Sequence, residues 1–259
     1  MPKINTILFD CDNTLVLSEE LAFEGCADLL NEICETKGVN PLPNFTGGSL
    51  ITEFVGQNFR GMLTSLQDRY KFPLSPEETE HYVHREEDVV IAKLRESLSP
   101  CAGVERQLEA LAKAGRYQLA VVSSSALRRV RASLEVVTFD RFFAVDRVYS
   151  AATSLPKPTS KPDPAIYLHA LRDLGVLAKD GDDDADFAKR RACLAIEDSR
   201  SGTLSAARAH IPVVGYVGPY SAEKQGHMAE VLREAGADVI MSDWDEFPDI
   251  LARLEKDEK

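Results

Sequence analysis

Residues 6–16 read TILFDCDNTLV, a short apolar run that breaks into Asp10-Cys11-Asp12 and then turns at Asn13-Thr14. An apolar run of this length, bounded by turn residues, is the pattern of a strand buried on both faces, as in a parallel sheet. Four more such runs lie downstream: YQLAVVS at 117–123, ACLAIED at 192–198, PVVGYV at 212–217 and ADVIMS at 237–242. Between them the apolar spacing is helical, in VERQLEALAKAG, ALRRVRASLEVV, DPAIYLHALRDLG, SGTLSAARAH and SAEKQGHMAEVLREAG. This alternation predicts an α/β fold with a doubly wound parallel sheet. Gly115, Gly175 and Gly236 stand where helices should stop, and Asp163-Pro164 offers a cap followed by proline in the first turn.

One long piece does not alternate. SEELAFEGCADLLNEIC, LITEFVGQNFRGMLTSLQDRY and EETEHYVHREEDVVIAKLRESL, between about 18 and 98, are helical in pattern, with no convincing strand. An all-helical domain at 17–98 is therefore expected, inserted into a core made of 1–16 and 99–259. Ser75-Pro76-Glu77-Glu78 carries a capping box with proline at the first helical position. KDGDDDADFAKRR, at 179–191, packs five acidic residues and reads as a solvated surface loop, because its Asp spacing does not match a calcium-binding loop.

The 259 residues, 44% of them apolar, are enough for a sizeable core. Thirty Lys and Arg against 42 Asp and Glu leave a net charge of -12, which opposes general nucleic-acid binding. Five scattered cysteines, none spaced as CxxC, suggest neither a disulfide framework nor a zinc knuckle and fit a reducing, cytoplasmic setting. No apolar run approaches the ~18 residues that cross a bilayer, and no secretory signal pattern opens the chain. A monomer is expected, without membrane or nucleic-acid partners.

In an open parallel sheet, ligands gather beyond the carboxyl ends of the strands. Those ends carry Asp10, Asp12 and Thr14, then Ser123, Ser124 and Ser125, then Glu197, Asp198 and Ser199, with Lys161 in SKPDP between the second and third groups. Hard oxygen ligands such as Asp10, Asp198 and Glu197 suit Mg²⁺. Two unit charges ~4 Å apart interact by about 4 kcal/mol at an effective dielectric of 20, so a phosphate ester beside this cluster needs Mg²⁺ and Lys161 as compensation. With that field, Asp10 can attack phosphorus in line and form an aspartyl-phosphate. Asp12 can protonate the leaving alkoxide and then deprotonate the hydrolytic water. Ser123 and the N–H groups after it suit the phosphoryl oxygens, and Asn13 tolerates the left-handed conformation of a sharp turn. Ser124 and Ser125 also read individually as helix caps. Lys161 is preferred to Lys157 because the KPDP run follows it, and Cys11 points by alternation to the opposite side, as packing.

DCDNT, VVSSS, SKPDP and AIEDS, in that order, resemble the four motifs of the haloacid dehalogenase superfamily, over nearly the whole chain and on both sides of the helical insertion. Within it the chain is similar to the β-phosphoglucomutase-like and small phosphosugar phosphatase branch. The resemblance implies a Rossmann-like core and a helical cap. It implies Asp10 as nucleophile, Asp12 as acid/base with its main-chain oxygen on Mg²⁺, Asp198 as magnesium ligand with Glu197 assisting, and Thr14, Ser123, Ser124 and Lys161 on phosphate.

The expected activity is magnesium-dependent hydrolysis of a small phosphate monoester, a sugar or polyol phosphate. Gln57, Asn58 and Arg60, in the insertion, offer donors for substrate hydroxyls or a second anion, against a plain solvated helix face. A phosphomutase is the alternative; the mutase has a histidine in the first cap helix, whereas SEELAFEG has none. A dehalogenase has no use for Asp12 as a proton shuttle. A phosphorelay receiver is opposed by the motif order and by the insertion.

Overall fold

A computed structural model describes residues 3–54, 57–178 and 184–256. The chain divides into two compact units, Ser18–Leu98, and Met1–Leu17 with Ser99–Lys259.

The unit Ser18–Leu98 is helical: α1 (Glu19–Thr36), α2 (Gly47–Glu53), α3 (Phe59–Tyr70) and α4 (Pro76–Ser97). α1 packs on α2 and α4, and the interior is made by Leu29, Leu30, Ile33, Leu63, Leu66, Val90 and Leu94, all buried. Gly25 allows α1 and α4 to approach, since a Cβ there would come within 3.2 Å of Val90 Cγ2. The capping box is formed as the sequence indicates: Ser75 Oγ accepts from Glu78 N at 3.1 Å, and Glu78 Oε2 accepts from Ser75 N at 2.8 Å. Residues 50–70, one continuous pattern in the sequence, become two helices. Asn58 begins the second by accepting from Gly61 N at 3.0 Å.

The other unit is built on a parallel sheet. Its strands among the described residues are β1 (Thr6–Phe9), β2 (Gln118–Ser123), β3 (Val148–Ser150), β4 (Cys193–Glu197), β5 (Val213–Tyr216) and β6 (Val239–Met241), in the order β3-β2-β1-β4-β5-β6. β1 lies between β2 and β4, with Phe9 opposite both Val121 and Ile196. The direction of winding reverses between β1 and β4, which is where such sheets open a crevice. The five apolar runs of the sequence all became strands. β3 was not foreseen, being three residues long and at the sheet edge, where it is recruited by pairing with Val121–Ser123.

Around the sheet lie α5 (Val104–Ala114), α6 (Leu127–Val136), α7 (Ala165–Asp173), α8 (Asp184–Arg191), α9 (Arg200–Arg208), α10 (Ala222–Glu234) and α11 (Phe247–Lys256). Gly115, Gly175 and Gly236 stop their helices with positive φ of 63°, 72° and 108°. Asp163 accepts from Ala165 N at 2.9 Å ahead of α7, with Pro164 in the cap position itself. The acidic 179–191 stretch corrects the loop reading: Asp184–Arg191 is helical, and residues 179–183 lie outside the described residues. Lys189, Arg190 and Arg191 fall in its last turn, where cations favour a helix despite the acidic start. α11 was also missed, although Phe247, Ile250, Leu251 and Leu254 give it one apolar face. Trp244, fully buried, ties it to the sheet through Phe9 and Phe247, with ring centroids 6.2 and 5.5 Å away. No helix among the described residues is long and apolar enough to cross a membrane.

Replacing Ser75 by Ala removes one half of a formed capping box. Urea unfolding should show a loss of about 1 kcal/mol, against only a few tenths for Ser75→Gly.

Candidate active site

β1 ends at Phe9, and the next backbone N–H, that of Asp10, still bonds Ile196 O of β4 at 3.0 Å. Asp10 is thereby fixed beside the end of β4. The chain then turns sharply: Leu15 N bonds Cys11 O at 2.9 Å and Asn13 N bonds Val16 O at 2.7 Å. Asn13 sits at φ 54°, the left-handed region that Asn enters more readily than most residues. Cys11 is buried. Thr14, also buried, points its hydroxyl at Asp198 Oδ1, 3.5 Å away.

Lys161 reaches the same place from the loop before α7. Its Nζ donates to Asp10 Oδ1 at 2.6 Å, to Glu197 Oε1 at 2.6 Å and to Val122 O at 2.7 Å. All three ammonium protons are therefore used. The loop is itself held: Lys161 N donates to Ser124 Oγ at 3.2 Å, Ser205 Oγ to Asp163 O at 2.7 Å, and Arg208 Nη1 to Pro162 O at 3.0 Å. Lys157, by contrast, is exposed.

The side chains of Lys161, Asp10 and Glu197 are 3%, 10% and 0% exposed. Burial opposes the Lys161 charge, yet Asp10 and Glu197 together raise its pKa above the usual lysine range. Burial pushes the Asp10 carboxyl above the usual carboxylate range, Lys161 pulls it back, and the negative charges of Glu197 and Asp12 add to the rise.

Glu197 Oε1 also accepts from the Tyr167 hydroxyl, in a short hydrogen bond. Its other oxygen, Oε2, is buried with no hydrogen-bond partner among the described residues. Oε2 lies against the backbone of Gly202 in α9, so close that a Cβ at Gly202 would overlap the carboxylate. Asp10, Glu197 and Asp198 each present a ligand oxygen within 4.8 Å of the others, all buried. Three carboxylates against one ammonium leave a negative balance, and the donors are oxygens only. An orphaned anionic oxygen among them fits a hard divalent cation such as Mg²⁺.

Asp12 stands apart from this cluster. Its Oδ2 accepts from Ser125 Oγ at 2.7 Å and its Oδ1 from Arg129 Nη2 at 3.1 Å, with 26% of its side chain exposed. Ser123, nearly fully buried, accepts from Ser125 N at 3.0 Å. The reading of Ser124 and Ser125 as helix caps is corrected: α6 is preceded by Ala126 with no side-chain cap, while Ser124 holds the Lys161 backbone and Ser125 holds Asp12. Their hydroxyls are spent across the sheet's ends because long-range partners outbid the local cap.

Gln57, Asn58 and Arg60 have local partners inside the helical unit. Gln57 Oε1 accepts from Ser65 Oγ at 2.9 Å, Asn58 caps α3, and Arg60 forms a two-pronged, exposed pair with Glu80 at 2.6 and 2.8 Å. Two residues at the site were missed. Arg129 is one of three arginines in LRRVR, and nothing in the spacing says which one faces the strand ends. Tyr167, six residues past Lys161, reads as an ordinary apolar helical position.

The family described as haloacid dehalogenase-like hydrolase matches residues 4–210. The chain is 26% identical over 221 residues to protein CbbY of Rhodobacter capsulatus, covering 82% of this chain and 85% of that protein. A putative beta-phosphoglucomutase from Thermotoga maritima superposes with a TM-score of 0.68 at 25% identity, over 96% of this chain and 99% of that one. A mutant of CbbY from Rhodobacter sphaeroides, in complex with xylulose-(1,5)bisphosphate, gives 0.69 at 21% identity, over 94% and 96%.

Removing the Lys161 ammonium leaves Asp10 and Glu197 facing each other in a dry site. Denaturant unfolding of Lys161→Met should show a loss of about 3–5 kcal/mol. Adding Glu197→Gln to that variant should recover part of it, which a double-mutant comparison measures directly.

Proposed function

Because the chain belongs to the haloacid dehalogenase-like hydrolases, we propose that it is a phosphoric monoester hydrolase that acts on a small phosphorylated metabolite, a sugar or polyol phosphate, through an aspartyl-phosphate at Asp10. The observation that carries this reading is the buried Asp10 carboxylate, held by Lys161 at 2.6 Å where the sheet's winding reverses, with a second carboxylate two residues on. CbbY bound to a phosphosugar supports the substrate class.

An Asp10 oxygen attacks phosphorus as the bond to the leaving oxygen breaks, and Asp12 delivers its proton to the departing alkoxide. In the second half, Asp12 takes a proton from water as that water attacks the phosphoryl group, which releases inorganic phosphate and frees Asp10. Lys161 offsets negative charge at Asp10 throughout. Thr14, Ser123 and Ser124 are assigned to the phosphoryl end. Mg²⁺ would be held by Asp10, Asp198, Glu197 and the main-chain oxygen of Asp12, and would supply charge neutralisation for a dianionic ester. Choice of the leaving group is assigned to the helical unit at 17–98.

Phosphate release should be magnesium-dependent, abolished by a chelator and restored by Mg²⁺. Asp10→Asn should show no turnover, and Asp12→Asn should lower kcat about 10²–10⁴-fold. A screen of phosphorylated sugars, polyols, glycolate and nucleotides identifies the substrate. Turnover persisting in Asp10→Asn, or a hexose 1-phosphate isomerised faster than it is hydrolysed, would overturn the reading.

A further inference from the structure

We infer that Tyr167 is a positioning residue of this site: its hydroxyl commits one oxygen of Glu197 to Lys161 and so sets how both face Asp10. The inference rests on the reading of the site as a cation-dependent phosphoryl-transfer centre.

Tyr167 lies in the first turn of α7, directly after the loop that carries Lys161, and is fully buried. It touches two members of the charged cluster at once. Its hydroxyl donates to Glu197 Oε1, the oxygen that also receives Lys161 Nζ, and its ring centroid lies 5.4 Å from that Nζ. The ring alone would be met by a phenylalanine, so the hydroxyl is the informative part. A buried phenol needs an acceptor, and this one is given the side chain that anchors the lysine.

The opposite side of Glu197 is closed as well. Oε2 rests against Gly202, where any side chain would overlap the carboxylate. Ser199 accepts from Gly202 N at 3.0 Å and fixes that first turn of α9. Glu197 is therefore held between a hydroxyl and a bare backbone, which leaves its carboxylate one orientation. Oε1 serves Lys161, Oε2 packs against Gly202 with no hydrogen-bond partner among the described residues, and the carboxylate so held is one of the three grouped at this site. Without the Tyr167 hydroxyl, Oε1 keeps only the lysine and the carboxylate is free to swing toward it. Groups that orient ligands in this way commonly alter metal affinity or activity by about 10–100-fold.

The test is Tyr167→Phe, with Mg²⁺ alone titrated into wild type and variant by calorimetry, alongside steady-state kinetics. The expected result is a cooperatively folding variant that binds Mg²⁺ about 10-fold more weakly, with kcat reduced about 10-fold and KM within about 2-fold of wild type. A filler of the core would leave Mg²⁺ affinity untouched, so wild-type affinity in a folded Tyr167→Phe overturns the inference. Gly202→Ala probes the other wall and should weaken Mg²⁺ binding too; if it does not fold, Tyr167→Phe still decides. A wild-type protein that neither binds Mg²⁺ nor releases phosphate defeats the functional reading and this inference together. A wild-type protein that does both, with a variant identical to it, defeats this inference alone.

Discussion

One ammonium shared by two buried carboxylates is the constraint on which the α/β unit depends. Lys161, Asp10 and Glu197 are almost entirely shielded from solvent. Desolvating ions costs several kcal/mol each, which their mutual attraction repays only with good geometry and saturated hydrogen bonds. The fold supplies that geometry. Adjacent β1 and β4, with Phe9 opposite Ile196, bring Asp10 beside Glu197. Val122 O, at the end of β2, takes the third lysine proton.

α9 then acts as the common brace. Its first turn meets Glu197 through Gly202, and its later residues Ser205 and Arg208 hold the carbonyls of Asp163 and Pro162 in the lysine loop. A single rigid element thus ties both partners of the ion pair, which suits a centre that must stay charged and ordered before any substrate enters.

The two aspartates of DCDNT divide by environment. Asp10 is buried with Lys161, which suits its proposed role as a nucleophile kept from water. Asp12 keeps a quarter of its side chain exposed and is steadied by Ser125 and Arg129, which suits its proposed role in passing protons. Both aspartates lie past the end of β1, with buried Cys11 between them. Asn13, with its positive φ, makes the turn that follows Asp12.

Period and punctuation made most of the architecture legible. Apolar runs gave five of the six strands, Ser75 and Glu78 announced α4, and the glycines marked helix ends, because these signals act within a few residues of chain. The ordered acidic, serine and lysine groups pointed to one locus, since parallel strands must present their carboxyl ends together. What stayed hidden depends on partners far along the chain. β3 exists only because β2 offers it an edge, and Asp184–Arg191 forms a helix that its acidic start disguised. Arg129 and Tyr167 read as one arginine among three and one aromatic in a helix, until packing aimed them at residues 117 and 30 positions away. By itself the chain determined most of the elements and which residue types gather at the strand ends; only the tertiary structure decided which oxygen meets which proton, because a hydrogen bond is set by direction in space and leaves no local spacing to read.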